Sequence, residues 1–430
     1  MPKNKKRAKV QKAGGVVVSR PPTDDEYDTA DNISTVSHLS DDVVSIAESV
    51  NEAEVDEASS QELFEDKLKE YIEGTTQKCT QGRINCLEFI KSALSKKYMD
   101  EFLMDRKVTL SENLLKCIKK GKGDEQALAV TCFTLLIIQL GIEVEDIFNE
   151  FRPMLLNLLN DHSVALKARS QSTICLSIGS FLACDDIEIV KSVMKSLEDV
   201  FRSSYRKGDN STPNINTDTC QFHSNALQAW CLLLSIAPAF IVNDVIASHL
   251  TKIPDLLFSK DLDLKITAGE TLALLYELAR ETDEEFEGDD IERLCELLKN
   301  LATDCQKSQA RKDRKQQRSS FRDILRAIEE ADSPRTLVKF GSEQVLLNSW
   351  SRKKQYDIFC HVMGTGVNLH LQFNELLRQI FDLGPVIPVG AVRTKLSKFE
   401  RNQYKAAAFK ARTKARSKHR DKRSVTANCF

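Results

Sequence analysis

From Glu62 to about Asp332, apolar residues recur at three- and four-residue steps, the period of helices with one buried face. "QELFEDKLKEYIEG" sets Leu63, Phe64, Leu68, Tyr71 and Ile72 on this spacing and closes on a Gly cap. "INCLEFIKSAL", "DEQALAVTCFTLLIIQLG", "EVEDIFNEFRPMLLNLL" and "SVALKARSQSTICLSIGSFLA" follow on short polar connectors, without strand alternation. Helices of this length on short links pack antiparallel to their neighbours.

The pattern also repeats. Small residues inside every second helix, Ala129, Ser170, Ala226 and Ala268, are followed four residues later by Phe133, Ile174, Trp230 and Leu272. Six residues later stand Leu135, Leu176, Leu232 and Leu274. The anchors lie 41, 56 and 42 residues apart, and the long interval holds a polar insertion of 13 residues, Lys207 to Thr219, expected as a surface loop. "LLNDHSVALK" and "LLFSKDLDLK" form a second matched pair. Helix pairs at a period near 40 are the signature of a HEAT or armadillo array, in which each pair buries its apolar face against the next.

After Pro334 the period changes. "TLVKF-GSEQ-VLLNSW" alternates like a β-hairpin turning at Gly341, with Val338 and Phe340 opposite Leu337 and Lys339. "SRKKQYDIFCHVMG" and "LHLQFNELLRQIFDLG" read as two amphipathic helices, each closed by Gly. The expected fold is therefore mainly α: an armadillo/HEAT-like α-solenoid over 62–333, then a small α+β unit over 334–384 packed on the end of the array. "PVIPVG" opens a final segment, 385–430, as a stiff spacer leading into a basic helical tail.

Charge adds to this picture because it is laid out in blocks. The 430 residues hold 61 Lys and Arg against 63 Asp and Glu, a formal charge of −2. Residues 1–20 carry seven bases and no acid; Thr23 to Asp66 carries fifteen acids and no Lys or Arg. So charged and Ser-rich a stretch buries too little surface to offset its chain entropy, so 1–61 is expected to be disordered. It is either a solubilising tail or a segment that pairs with a partner or with the basic C-terminus. "KKRAK", with Lys5, Lys6, Arg7 and Lys9, is a simple nuclear-import pattern. A further basic cluster, Lys307, Arg311, Lys312, Arg314, Lys315 and Arg318, is either a solvated helix face or an extension of a basic surface.

Catalytic chemistry finds no foothold in the sequence. The twelve Cys are scattered without C-x-x-C spacing and the seven His do not cluster with them, which argues for buried reduced thiols and against zinc. No phosphate-cradling glycine loop is present, and "MGTGV" follows a helix, so it reads as a turn. Cys360 and His361 are adjacent, but neighbours on one helix point about 100° apart. Trp230 and Trp350 sit in apolar patterns, where packing is the default. The longest apolar run, Leu135 to Leu140, is too short to span a bilayer, and no apolar segment behind Met1 suggests secretion. No enzyme, cofactor, metal, membrane or small-molecule substrate is expected.

The tail remains. From Lys405 to Arg423, "KAAAFKARTKARSKHRDKR" contains nine Lys or Arg among nineteen residues, with Asp421 as its one acid. Ala, Lys and Arg favour helix, yet the charges surround it and leave no face to bury. Such a segment suits a nucleic-acid channel, where phosphates release counterions; an import signal or an unstructured tail is the alternative. No motif for direct sequence-specific DNA docking is present.

"YDIFCHVMGTGVNLHLQFNELLRQIFDLGP" and "FERNQYKAAAFKARTKARSKHRDKR" together resemble the C-terminal signature of the interferon-related developmental regulator family. The acidic Ser-rich head and "LKARSQSTICLSIGSFL" are similar as well, so the resemblance covers most of the chain from about residue 25. It implies an armadillo-like helical fold without enzymatic activity, and two roles. One is ribosomal: association with inactive ribosomes through a C-terminal helix in the mRNA channel, restraining translation. That role falls on Lys405, Lys410, Arg412, Lys414, Arg416, Lys418, Arg420, Lys422 and Arg423, with Arg401 just before them. The other is nuclear: a co-regulator scaffold holding transcription factors and histone-deacetylase corepressors on the solenoid surface. Ribosomal RNA and protein partners, and both cytoplasmic and nuclear residence, are the corresponding expectations.

Overall fold

Two kinds of helix alternate along the chain, and their difference dictates the architecture. The computed structural model describes residues 57–209, 211, 213–303 and 310–386, together with a two-residue strand β1 (Ser34–Thr35). One kind is buried nearly all round: α5 (Asp124–Leu140), α7 (Leu166–Leu182), α9 (Thr217–Leu234) and α11 (Leu262–Thr282) bury most of their positions. The other is one-sided, as in α8 (Ile187–Phe201), which buries Val190, Val193, Met194, Leu197, Val200 and Phe201 and leaves the rest half-buried or exposed. Helices apolar all round must lie between other elements, and one-sided helices must cover them.

That is the arrangement found. The inner helices α2 (Thr80–Lys96), α5, α7, α9, α11 and α13 (Arg311–Glu330) pack each on the next. Their outer partners are α1 (Glu57–Gly74), α4 (Lys107–Lys120), α6 (Glu145–Asn160), α8, α10 (Ala239–His249) and α12 (Ile291–Thr303), each against the inner helix that follows it. The short α3 (Asp100–Met104) bridges toward α5. Side-chain caps start several of them: Asp186 accepts from Glu188 N, Asn216 from Thr219 N and Asp261 from Leu264 N. The result is an armadillo-like α-solenoid.

The repeat register read from the sequence is the structural one. Ala129, Ala226 and Ala268 are wholly buried and Ser170 nearly so; the residues four and six later are equally buried. Hydrogen bonds join successive inner helices at the repeat interval: Thr131 Oγ1 to Gln171 Oε1 (3.1 Å), Ser224 Oγ with Thr267 Oγ1 (2.9 Å) and Cys231 Sγ with Thr271 Oγ1 (3.2 Å). Asn225 Nδ2 donates to Ser170 Oγ (2.6 Å) across the interval that contains the insertion. The described residues of that insertion form a mostly exposed connection, although its last residues, from Thr217, already belong to α9. Asp124–Asn160 is apolar enough on average to match a membrane span, yet 83% of its most apolar window is buried in the array. It also breaks at Gly141, where φ is +55°.

The hairpin is present: β2 (Thr336–Phe340) pairs antiparallel with β3 (Glu343–Leu347), burying Val338 and Phe340 and exposing Lys339, and β1 joins β2 in parallel. Next come α14 (Trp350–Met363), α15 (Val367–Phe373) and α16 (Glu375–Ile380). Two expectations need correction. The second amphipathic helix is broken into α15 and α16, because the Asn374 side chain accepts from Leu377 N and starts a new helix. More importantly, the unit does not sit on the end of the array. It folds back across the inner helices: α14 contacts α2, α5, α9 and α11, and α15 reaches α2. Residues 334–384 therefore share one core with the array.

Candidate functional site

The basic tail needs a root, and the described chain builds one from the C-terminal unit upward. Glu270 and Glu277 stand seven residues apart on α11, two turns along one face. The Glu277 carboxylate accepts from Trp350 N (2.6 Å), Ser351 N (2.9 Å) and Ser351 Oγ (3.0 Å), so an anion from the array sits at the N-terminus of α14. Burial pushes Glu277 up, and the three donors pull the other way. One turn on, Glu270 accepts from Lys353 Nζ (2.9 Å) and from Lys354 Nζ, while Lys353 also reaches Asp357 (2.6 Å). Burial alone would raise Glu270, but the two ammonium groups hold it below the usual carboxylate range. Lys354 is only 4% exposed, so this pairing is what makes its burial tolerable.

Farther along, the unit satisfies backbone groups that every helix end leaves open. His370 Nε2 lies 3.0 Å from Leu94 O in the last turn of α2, which it reaches as a donor from the neutral ring. Burial lowers His370 to about 4, consistent with that neutral form. Asn374 Nδ2 donates to Ile138 O in the last turn of α5 (2.9 Å); a side-chain contact, Gln355 Nε2 to Ser235 Oγ just past α9 (3.0 Å), adds to these. Gly366 fits because it lacks a Cβ, which would fall 1.8 Å from Ser95 O.

The chain's exit is held by one side chain. Arg378, 1% exposed, faces seven acceptors. Its Nη1 and Nη2 take both oxygens of Glu343 at 2.9 Å each, a fork-on-fork pair. Nε donates to Gly384 O (2.9 Å), and Nη2 also donates to Leu383 O and Pro385 O (3.0 Å each). Nη1 further reaches Leu371 O (2.9 Å) and Gln372 O (3.3 Å). Positive φ at Asp382 (+53°) and Gly384 (+71°) curls the chain around the guanidinium, and Arg352 pairs with Asp382. Leu383 to Pro385 is thus fixed immediately before the segment that carries the basic residues.

The tail candidates Arg401, Lys405, Lys410, Arg412, Lys414, Arg416, Lys418, Arg420, Lys422 and Arg423 lie outside the described residues, as do Lys5, Lys6, Arg7 and Lys9. The second basic cluster opens α13, where Arg311, Lys312 and Lys315 are exposed and Arg314 and Arg318 half-buried; Lys307 is outside the described residues. Cys360 is half-buried, and burial pushes its thiol up to about 11 against a hydrogen bond from Tyr356, which disfavours a thiolate. Trp230 and Trp350 are both buried as packing residues. Among the described residues, no three His, Cys, Asp or Glu are placed to hold a metal ion. Lys354 and Arg378 escaped the sequence reading. Their signal was a cation on an apolar stripe: Trp350, Lys354, Ile358 and Val362 run at four-residue steps, and Arg378 follows Leu371 and Leu377.

The chain matches the interferon-related developmental regulator family over residues 32–329 and the interferon-related protein conserved region over 374–424. It is 43% identical over 406 residues to human interferon-related developmental regulator 1, covering 93% of this chain and 90% of that protein. It is 41% identical over 375 residues to mouse interferon-related developmental regulator 2, covering 86% and 85%. A fission-yeast protein described as uncharacterized is 23% identical over 292 residues, 63% of each chain. Among solved structures, a designed armadillo repeat protein overlays on 61% of this chain and 99% of its own, at 13% identity and TM-score 0.38. That overlay is too loose to assign a fold, which rests instead on the helix packing above.

Proposed function

This chain belongs to the interferon-related developmental regulator family, and on that premise we propose that it is a non-catalytic regulator of gene expression that restrains translation. Its helical-repeat body holds a basic C-terminal segment, and that segment enters the RNA-walled mRNA channel of inactive ribosomes. Lys405 to Arg423 supplies positive charge that phosphates can neutralise without reading sequence. Blocking a nucleic-acid path needs only shape and charge, so no catalytic group is called for.

The observation that carries this reading is the Arg378 clamp. A charged segment tied to a rigid body at one point is presented at a higher effective concentration than a free tail, provided that the body also touches the same particle. The fastening of the C-terminal unit to α2, α5, α9 and α11 makes body and root a single rigid support.

Gradient sedimentation of cell extract tests the proposal, with the full chain run beside a version ending at Gly390. Co-sedimentation of the full chain with ribosomal particles, lost on truncation, supports it. If both forms stay at the top of the gradient, the ribosomal role is wrong and the nuclear scaffold role becomes the better reading. About eight phosphate contacts also require affinity to fall on the order of 10³-fold or more between low and moderate salt.

A further inference from the structure

On the outer layer, a groove of about 430 Å³ opens between α10, the 3-10 turn Ile253–Phe258 and α12. Its floor is apolar, with Ile246, Leu250, Phe258, Phe286 and Leu297. Phe258 is 41% exposed there, and the Arg206 guanidinium lies over its ring at 3.8 Å. Asp289, Asp290 and Glu296 stand on the rim, and Arg293 is the one base from the same segment.

The rim belongs to the most acidic stretch of the described chain. "ETDEEFEGDDIERLCE", Glu281 to Glu296, holds nine Asp or Glu and one Arg, and all nine carboxylates are exposed. None of them takes part in the ion pairs found among the described residues. Charge therefore selects the occupant: a strongly cationic segment with an aromatic side chain to place on the floor. Lys395 to Arg423 of this same chain has twelve Lys or Arg, two acids, and Phe399, Tyr404 and Phe409. It is also within reach. The 24 residues from Val386 to Phe409 span up to about 80 Å when extended. A compact body of this size has a radius of gyration of about 20 Å.

We propose that this groove docks the chain's own basic segment 395–423, an aromatic side chain on the apolar floor and its cations over the rim acids, so that docking and RNA binding exclude each other. The competition with RNA rests on the function proposed above; the docking itself does not. Free protein then keeps its tail covered, and only a dense phosphate surface displaces it. A tail docked nine-tenths of the time weakens apparent RNA affinity about tenfold. Exposed ion pairs are screened, so the docked fraction falls as salt rises.

Carbodiimide cross-linking of the full chain at low salt, with mapping of the joined peptides, reads the contact directly. Tail lysines joined to Asp289, Asp290 or Glu296 are expected. Joins solely to the acidic head, residues 23–66, or to no carboxylate in the groove overturn the proposal. The variant D289N/D290N/E296Q changes exposed side chains, and an unchanged thermal midpoint checks its fold. It should lose those cross-links and bind a generic single-stranded RNA about three- to tenfold more tightly at low salt; RNA affinity equal to the parent's would refute the masking. F258A should act in the same direction through the floor. Because cross-linking needs no ribosome, loss of the ribosomal role leaves this result standing, and the reverse also holds.

Discussion

Replacing Arg378 by Ala removes the guanidinium that holds the exit of the chain, and the structure sets the size of the effect. The side chain is 2% exposed and forks onto Glu343, whose own side chain is 18% exposed. Deleting one partner of a buried ion pair costs about 3–5 kcal/mol, because the remaining charge loses that partner's compensation. The carbonyls of Leu371, Leu383, Gly384 and Pro385 lose their donor as well. Water entering the vacated space can replace part of that, so about 3–5 kcal/mol stands as the whole effect. At the large end of the size range, each kcal/mol moves the midpoint by about 2 °C, giving a fall of about 6–10 °C. R378K should recover little of it, since an ammonium cannot reproduce the fork. Differential scanning calorimetry gives the midpoint, and hydrogen exchange locates the change. Peptides spanning 376–386 should exchange faster, while inner helices such as α7 keep their protection until global unfolding. A midpoint within 2 °C of the parent, with 376–386 still protected, would refute the clamp.

Other perturbations probe the same support. Gly366→Ala drives a Cβ into Ser95 O; it should destabilise by about 1–3 kcal/mol and raise protease sensitivity in α15 before the array, and unaltered digestion would count against it. Glu270→Ala leaves Lys353 and Lys354 without their shared acid and should cost about 3–5 kcal/mol, whereas E270L/K354M should recover most of the loss; denaturant midpoints that fall equally in both would contradict the pairing. His223 and His370 are each lowered to about 4 by burial, with the Arg169 charge adding at His223. Their folded pKa values lie below the unfolded value near 6.5, so stability is complete above pH 6.5 and drains away as pH falls toward 4, by up to about 1.4 kcal/mol per pH unit for each histidine. Urea midpoints that stay flat between pH 6.5 and 4.5 would contradict this.

The array was readable because its information is periodic. All-round apolar helices such as α5 and one-sided ones such as α8 differ in sequence pattern, and that difference assigns the inner and outer layers. The anchors Ala129, Ser170, Ala226 and Ala268 found the register because the inner helices stack through equivalent positions. Placement of the C-terminal unit was not readable by the same means. It depends on Glu270, Glu277, His370 and Asn374 meeting partners 70 to nearly 280 residues away, which periodicity does not encode. The break at Asn374 left a weak trace, an Asn followed by Glu375 inside an amphipathic run. The tail was legible as composition alone, and its root was hidden because the one trace of Arg378, a cation following Leu371 and Leu377 on an apolar stripe, does not name Glu343 or the carbonyls it meets.

The most direct test of a basic tail lodged in the ribosome's RNA channel is photo-cross-linking of the full chain on purified inactive ribosomal particles, with both partners of each adduct sequenced. The account predicts adducts on peptides between Lys395 and Arg423, joined to ribosomal RNA lining the mRNA path and abolished by competing mRNA. Adducts confined to the helical body, or a tail joined solely to RNA outside that path, would contradict it.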